Sequence, residues 1–385
     1  MNGIVAIRRL VDGASHDGPV WLRIENGLVV ERGQGEPDSA PAEQLDIVVP
    51  GAVDPHVHGA VGIDFATPGV DPQPALDHHH RAGSTTLIAS LATGSLADTR
   101  SRVKELAPLV REGRLAGTHL EGPWLSPARR GAHNPDLLRR PDRAEVADLL
   151  AAGEGTIRMV TIAPELPGAF DAIDELVASG VVVAIGHTDA DAETVSRAID
   201  SGARVTTHLF NGMPPMHHRQ AGTVGVSLSD DRITVELIAD GEHVGNEVMD
   251  VARRAAAGRM MLVSDAMSAT GLGDGSYDLA GSEVVVAGGV AVLAQGNSLA
   301  GSTTALMAAA LRLLNRNVPL PEVVAVTSAT AANVFGLRGH ALRPGDPADL
   351  IELHFPDGVA EVARVARRGV WLDPVDVPTF KEELS

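Results

Sequence analysis

Five segments of the chain place metal-binding or acid–base side chains just after an apolar run. They are Asp54-Pro55-His56-Val57-His58-Gly59, Leu120-Glu121-Gly122-Pro123, Gly186-His187-Thr188, Thr207-His208 and Val263-Ser264-Asp265-Ala266. In extended chain residues i and i+2 point the same way, so His56 and His58 can offer two imidazoles to one ion. Such a pair alone is also common on protein surfaces. Glu121 follows Gly117-Thr118-His119-Leu120 and can ligate or bridge a metal, or serve as a structural acid bonded to the next loop. His187 follows Val181-Val182-Val183-Ala184-Ile185-Gly186, and His208 follows Arg204-Val205-Thr206-Thr207. A lone buried histidine is ordinarily a satisfied core residue. Two on successive strands, with Glu121 and the His56–His58 pair, point to a metal site instead. Asp265 can take a proton from water and return it to an amide leaving group; its competing reading is an N-cap or turn residue. The chain has no cysteine, so ligands must be His, Asp or Glu. That set suits zinc first, with iron, manganese or cobalt as alternatives.

Three further groups suit an anionic substrate. Arg219 lies in the Gly- and Pro-containing stretch Asn211 to Gly222, His243 in Ala239-Asp240-Gly241-Glu242-His243, and His133 in Arg129-Arg130-Gly131-Ala132-His133-Asn134. A guanidinium with imidazoles matches phosphate well, although each alone reads equally as a solvated loop residue. His78-His79-His80 read as a helix face, and His217 and His218 as loop surface. The only lysines, Lys104 and Lys381, fall on a helical stretch and in the C-terminal tail. A metal site bridged by a carboxylated lysine is therefore not expected.

Side chains scattered from His56 to Asp265 can meet only if their strands share one end of a closed sheet. Candidate strands are 47–53, 85–90, 117–121, 157–163, 181–186, 204–207, 233–239 and 260–264. Helical spacing falls at 71–82, 96–111, 143–152, 169–179, 190–200, 244–256, 303–316 and 321–335. This alternation predicts an α/β chain with a (β/α)8 TIM barrel. An open doubly wound sheet is the alternative, but no Gly-x-Gly-x-x-Gly turn follows the first strand. Before the barrel, 4–10, 20–25 and 28–32 read as hairpin strands; after it, 348–353 and 362–372 do the same. The two ends are expected to form one small β-sandwich. The domains are then 1–48 and 344–385 for the sandwich and 49–343 for the catalytic barrel. Residues 266–300 read as a hairpin insertion after the eighth strand.

The 385 residues are 44% hydrophobic, 21% charged and only 3% aromatic, so the core rests on aliphatic side chains. A net charge of −19 disfavours nucleic acid and anionic membranes as partners. No signal peptide and no 18-residue apolar run is read, which makes a cytoplasmic enzyme the expectation.

With these motifs in place, the chain resembles the N-acetylglucosamine-6-phosphate deacetylases of the amidohydrolase superfamily. The specific pieces are Leu120-Glu121-Gly122-Pro123-Trp124 with Gly131-Ala132-His133-Asn134, Gly186-His187-Thr188, Thr207-His208-Leu209-Phe210-Asn211-Gly212-Met213, Ser264-Asp265-Ala266-Met267 and Leu299-Ala300-Gly301-Ser302. The match runs from Pro50 to Leu350. The resemblance implies Glu121, His187 and His208 as metal ligands, with Asp265 as general base and acid and as a further metal ligand. His56 and His58 make a second ion possible, so one or two bind per subunit. It further implies substrate contacts from Ala132, His133, Asn211, Gly212, Arg219, Asp240 and His243, and from Leu299, Ala300 and Gly301 as a pocket wall. His133 would also assist the chemistry. The implied reaction removes the acetyl group of a phosphosugar, and a phosphate-binding arginine shared between subunits implies a homodimer. Two rivals stand beside this reading: another amidohydrolase, such as a cyclic-amide hydrolase or deaminase, and a barrel that has lost its chemistry.

Overall fold

The computed structural model describes residues 1–12, 17–296, 298–373, 375 and 377; Lys381 lies outside them. Both chain ends supply one seven-stranded sheet. Its strands are β1 (Gly3–Val11), β2 (Asp17–Glu25), β3 (Leu28–Gln34) and β4 (Glu43–Pro50), then β18 (Leu350–His354), β19 (Glu361–Arg367) and β20 (Val370–Leu372), in the order β20-β19-β18-β4-β1-β2-β3. The N- and C-terminal parts join where Ile351 pairs with Val49 and Glu352 with Val48. Alternating side chains, among them Val5, Ile7, Val20, Leu22 and Ile24, form this domain's own buried core. This is the expected small β domain.

Eight strands form the second sheet, β5 (Ala52–Val57), β8 (Ser84–Ala92), β9 (Gly117–Glu121), β10 (Ile157–Ile162), β11 (Val182–Ile185), β12 (Val205–Thr206), β13 (Thr234–Ile238) and β14 (Met260–Val263). They lie in chain order, with parallel pairing from β8 through to β14. Backbone bonds from Asp265 N–H to the His56 carbonyl, 2.9 Å, and from His58 N–H to the Ala266 carbonyl, 2.8 Å, bring the last strand's exit onto the first. The result is the expected (β/α)8 barrel. A short ribbon, β6 (Gly59–Ala60) with β7 (Ile63–Asp64), follows the first strand.

Helices α1 (Gln73–Arg81), α2 (Leu96–Arg111), α3 (Arg143–Gly153), α4 (Ala169–Ala178), α5 (Ala192–Asp200), α6 (Gly222–Ser229) and α7 (Asn246–Ala255) alternate with these strands, and α8 (Leu306–Asn315) follows. Asp142, Asp191 and Ser95 cap α3, α5 and α2 through side-chain oxygens. The last expected helix, 321–335, is α9 (Leu320–Val324) and α10 (Thr330–Phe335), joined by a π-helical turn at Ala325–Ala329. Lys104 is exposed on α2. His78, His79 and His80 lie on α1, the last two buried.

By contact density the chain divides into two units. One comprises Met1–Asp54, Asp77–Thr86 and the described part of Ala305–Ser385; the other comprises Pro55–Leu76 and Leu87–Thr304.

Two expectations about elements need correction. The stretch 47–53 is not one barrel strand: β4 ends at Pro50 in the small sheet and β5 begins at Ala52 in the barrel. The break falls at Gly51, where any side chain would run into Thr85. Helix α6 was not expected, because Gly-Thr-Val-Gly-Val-Ser-Leu-Ser is poor in intrinsic helix formers. The insertion after β14 is a three-stranded sheet, β15 (Gly275–Leu279), β16 (Ser282–Ala287) and β17 (Val290–Leu293), with its own apolar cluster around Met267, Val284 and Ala300.

Candidate metal centre

The barrel gathers its polar side chains at the carboxyl ends of the strands, the end where such barrels carry their active sites. His56 lies within β5, His58 just past it, and Glu121 is the last residue of β9. His187, His208 and Asp265 each stand two residues beyond a strand, after β11, β12 and β14. All three have left-handed backbone, with φ of 46°, 26° and 47°. That conformation is costly for a residue with a Cβ and clusters at functional sites. It turns each side chain out of the strand's pleat towards the same point.

Glu121 is the hub. Its Oε1 lies 3.1 Å from Nε2 of both His187 and His208, and its Oε2 lies 3.2 Å from His58 Nε2. Asp265 Oδ1 is 3.2 Å from His58 Nε2 and 3.4 Å from His56 Nε2. Two further contacts join imidazole nitrogens directly: His56 to His58 and His187 to His208, each 3.1 Å between Nε2 atoms. Two donor groups result, His56–His58–Asp265 and Glu121–His133–His187, each able to bring one ligand atom per residue within 4.8 Å of the others.

These residues fit a divalent cation. Burial acts most strongly on His56 and His58 and by itself favours neutral rings. The facing carboxylates outweigh it, so His58 is pushed up to about 9 and His56 well above its ordinary value. Burial works against ionised Glu121 and Asp265 too, yet the histidines hold both carboxyls well below the usual range. The cage thus attracts positive charge where a cation would displace protons. Nitrogen and oxygen donors, all buried, are also the chemistry such ions prefer.

At His187 and His133, hydrogen bonds outside the cage decide which ring nitrogen faces it. His187 Nδ1 donates to the Arg129 carbonyl at 2.8 Å, which leaves Nε2 as a lone pair pointing inward. His133 is wired the other way. The Thr93 backbone N–H donates to its Nδ1 at 3.2 Å, so the neutral ring carries its proton on Nε2, 3.3 Å from Glu121 Oε2. Burial, only partly offset by Glu121, pushes His133 down to about 4 and keeps it neutral. His133 is therefore a hydrogen-bond donor at the cage rather than a ligand.

A cavity of 520 Å³ opens over the cage, within the size range of small-molecule sites. Glu121, His58, His133, His187, His208 and Asp265 line its floor. Of the expected substrate contacts, Ala132, Asn211, Gly212, His243, Leu299 and Gly301 line its walls. Asp240 stands behind His243 and binds its Nδ1 at 2.7 Å. Burial would lower His243, but Asp240 outweighs it and raises the ring towards the cationic form. Besides Asp240, two expected contacts do not reach the cavity. Ala300 is buried in the apolar cluster of the insertion. Arg219 stands exposed beside exposed His217 and His218, in a tight turn closed by the backbone pairing of His217 with Gln220.

Sequence reasoning passed over four residues here. Arg129 and Arg130 line the cavity; the former pairs with Asp189 at 2.7 Å and the latter donates to the His133 carbonyl. His119 is buried below the cage, between Ser90 Oγ at 2.9 Å and Thr161 Oγ1 at 2.8 Å. Glu236 is buried beside His56. The overlooked signal was position: His119 shares a strand face with Glu121, and Glu236 interrupts an otherwise apolar β13.

Comparison with known proteins follows the same line. A model of the amidohydrolase family matches residues 47–375, and the chain belongs to that family. The N-acetylgalactosamine-6-phosphate deacetylase of Escherichia coli O157:H7 is 35% identical over 361 residues, covering 92% of this chain and 95% of that protein. The N-acetylglucosamine-6-phosphate deacetylase of Vibrio furnissii is 36% identical over 325 residues, covering 82% and 81%. Among solved structures, a variant of the Mycobacterium smegmatis N-acetyl-D-glucosamine-6-phosphate deacetylase, in complex with N-acetyl-D-glucosamine-6-phosphate, superposes with a TM-score of 0.91. It is 41% identical and covers 96% of this chain and 98% of that one. Within the family, then, these relatives are amino sugar phosphate deacetylases.

Proposed function

We propose that this chain hydrolyses the acetamide of N-acetyl-D-glucosamine 6-phosphate to glucosamine 6-phosphate and acetate. The observation that carries this reading is the meeting of Glu121, His187 and His208 with Asp265 and an N–H-bearing His133 on the floor of one cavity. The relatives' activities agree with it. Zinc is our first choice of ion, held by Glu121, His187 and His208. The group His56, His58 and Asp265 makes a second ion part of the reading. A bound divalent ion supplies Lewis acidity and makes water a stronger acid.

The chain's own residues do the rest. Asp265, ionised and facing the cavity, accepts the proton of the water that adds to the acetamide carbonyl carbon. His133 Nε2–H is placed to donate to the oxygen that gains charge. Asp265 then gives its proton to the amino nitrogen as the carbon–nitrogen bond breaks. His243, raised towards the cationic form by Asp240 against the effect of burial, and the guanidiniums of Arg129 and Arg130 line the cavity where the 6-phosphate would sit. Asn211, Gly212, Leu299 and Gly301 enclose the sugar. Arg219, exposed on its own chain, is assigned to the phosphate in a neighbouring subunit, which makes the working form a homodimer.

The test is acetate release from N-acetylglucosamine 6-phosphate, beside the unphosphorylated sugar and a chelator-treated sample. Hydrolysis that ignores the phosphate would sink the assignment. The E. coli relative favours one second reading, N-acetylgalactosamine 6-phosphate; the two epimers compared by kcat/KM decide between them.

A further inference from the structure

We infer that Glu236 is a positioning residue that holds His56 as a metal ligand, so that the ion of the His56–His58–Asp265 group depends on it. The inference rests on the reading of the cage as a metal centre.

Glu236 lies in the middle of β13 and is 0% exposed. A carboxylate taken out of water is costly unless something charged or strongly polar meets it. No Lys or Arg pairs with Glu236 among the described residues. Its Oε2 instead lies 3.1 Å from His56 Nδ1 and accepts the His208 backbone N–H at 3.2 Å. Its Oε1 has no hydrogen-bond partner, so the whole investment of this buried acid is in Oε2.

The geometry assigns the proton of His56. With Nδ1–H directed at Glu236, the proton a cation would displace is the one on Nε2, and the lone pair it leaves faces His58 Nε2 and Asp265 Oδ1. The arrangement repeats the one at His187, where the Arg129 carbonyl plays the outer part. At His56 the partner is a side-chain carboxyl, 3.1 Å from Nδ1, the kind of outer group that orients a ligating imidazole and strengthens it as a donor. The His208 turn has a second support from the same residue, because Leu209 N–H donates to the Glu236 carbonyl at 2.8 Å. That backbone bond survives any change of side chain. Removal of the carboxylate should therefore strike the His56 group and spare the Glu121–His187–His208 group.

The experiment is a zinc titration of chelator-stripped protein by calorimetry, with bound metal counted after dialysis. The samples are wild type, Glu236→Gln, Glu236→Asp, His56→Asn and Glu236→Gln/His56→Asn. Wild type is expected to bind two ions. Either Glu236 variant should weaken one of the two steps by about 10- to 100-fold and leave the other in place. Excess zinc should restore the second equivalent. The double variant should match His56→Asn alone, because both changes remove one interaction. The inference is overturned if both steps stay unchanged, if both are lost together, if the double variant shows additive losses, or if wild type binds a single ion. A wild type that binds no ion at all would take the metal-centre reading down as well. Glu236→Asp keeps the charge and shortens the reach, so it reads the contact even where the Gln variant folds poorly.

Discussion

Replacement of His133 by alanine separates two roles that its position alone would allow. His133 Nε2 lies among the cage donors, close enough to be counted with Glu121 and His187 as a ligand. Its wiring says otherwise. The Thr93 N–H occupies Nδ1, the ring is buried and neutral, and the one remaining proton sits on Nε2. His133→Ala thus deletes a single preset donor and no lone pair. Removal of one oxyanion donor costs about 2.7–4 kcal/mol of transition-state stabilisation, or about 10²–10³ in kcat. KM should change little, because the contact strengthens only as charge develops. Metal content should not change at all. The assay is initial-rate acetate release together with metal counted in the same samples. Loss of an ion from His133→Ala, or a kcat within a few-fold of wild type, would refute the reasoning.

Asp265→Asn should keep the fold and lose about 10²–10⁴ in kcat, read as acetate release; near-normal turnover would remove Asp265 from the chemistry. Gly212→Ala puts a Cβ 2.9 Å from His187 Nδ1 at a φ of +62°. It should weaken metal binding, seen as a lower ion count after dialysis. Arg129→Ala and Arg130→Ala should raise KM for the phosphorylated substrate and leave the residual rate on the unphosphorylated sugar alone. His80 supplies a pH test away from the cage. Burial first, and then Arg367, pushes it down to about 3. Its folded value lies below its unfolded one, so its stabilising contribution is intact above pH 6.5 and is lost as pH falls towards 3. Chemical denaturation of wild type should lose up to about 1.4 kcal/mol per pH unit more than His80→Gln below pH 6.5; parallel curves would contradict the shift.

His187 and Asp265 were legible because each stands at the end of a run too apolar to be anything but a buried strand; Glu121 and His208 were legible only beside them, as strand-end residues of the same alternation. Val181 to Gly186 announces His187 in this way, and Met261 to Ser264 announces Asp265. Residues inside such runs were not legible. Glu236 and His119 look like interruptions of a strand until the barrel turns their faces inward. Arg219 was read from residue type and loop composition, and neither fixes the direction in which a proline-rich loop leaves the sheet. The small sheet was legible in its pairing of chain ends. The boundary at Gly51 was not, since it depends on a contact with Thr85 that no local pattern encodes.

The cage and the cavity above it come from different parts of the fold. Glu121, His187, His208 and Asp265 are fixed at or just past strand ends, whereas 129–133, 210–213, 279–280, 298–299 and Gly301 supply the walls from loops and the insertion. A lineage can therefore edit the walls without moving the ion. Descendants of one such ancestor could exchange one hexosamine for its epimer by loop substitutions alone, and retain the same hydrolytic step throughout.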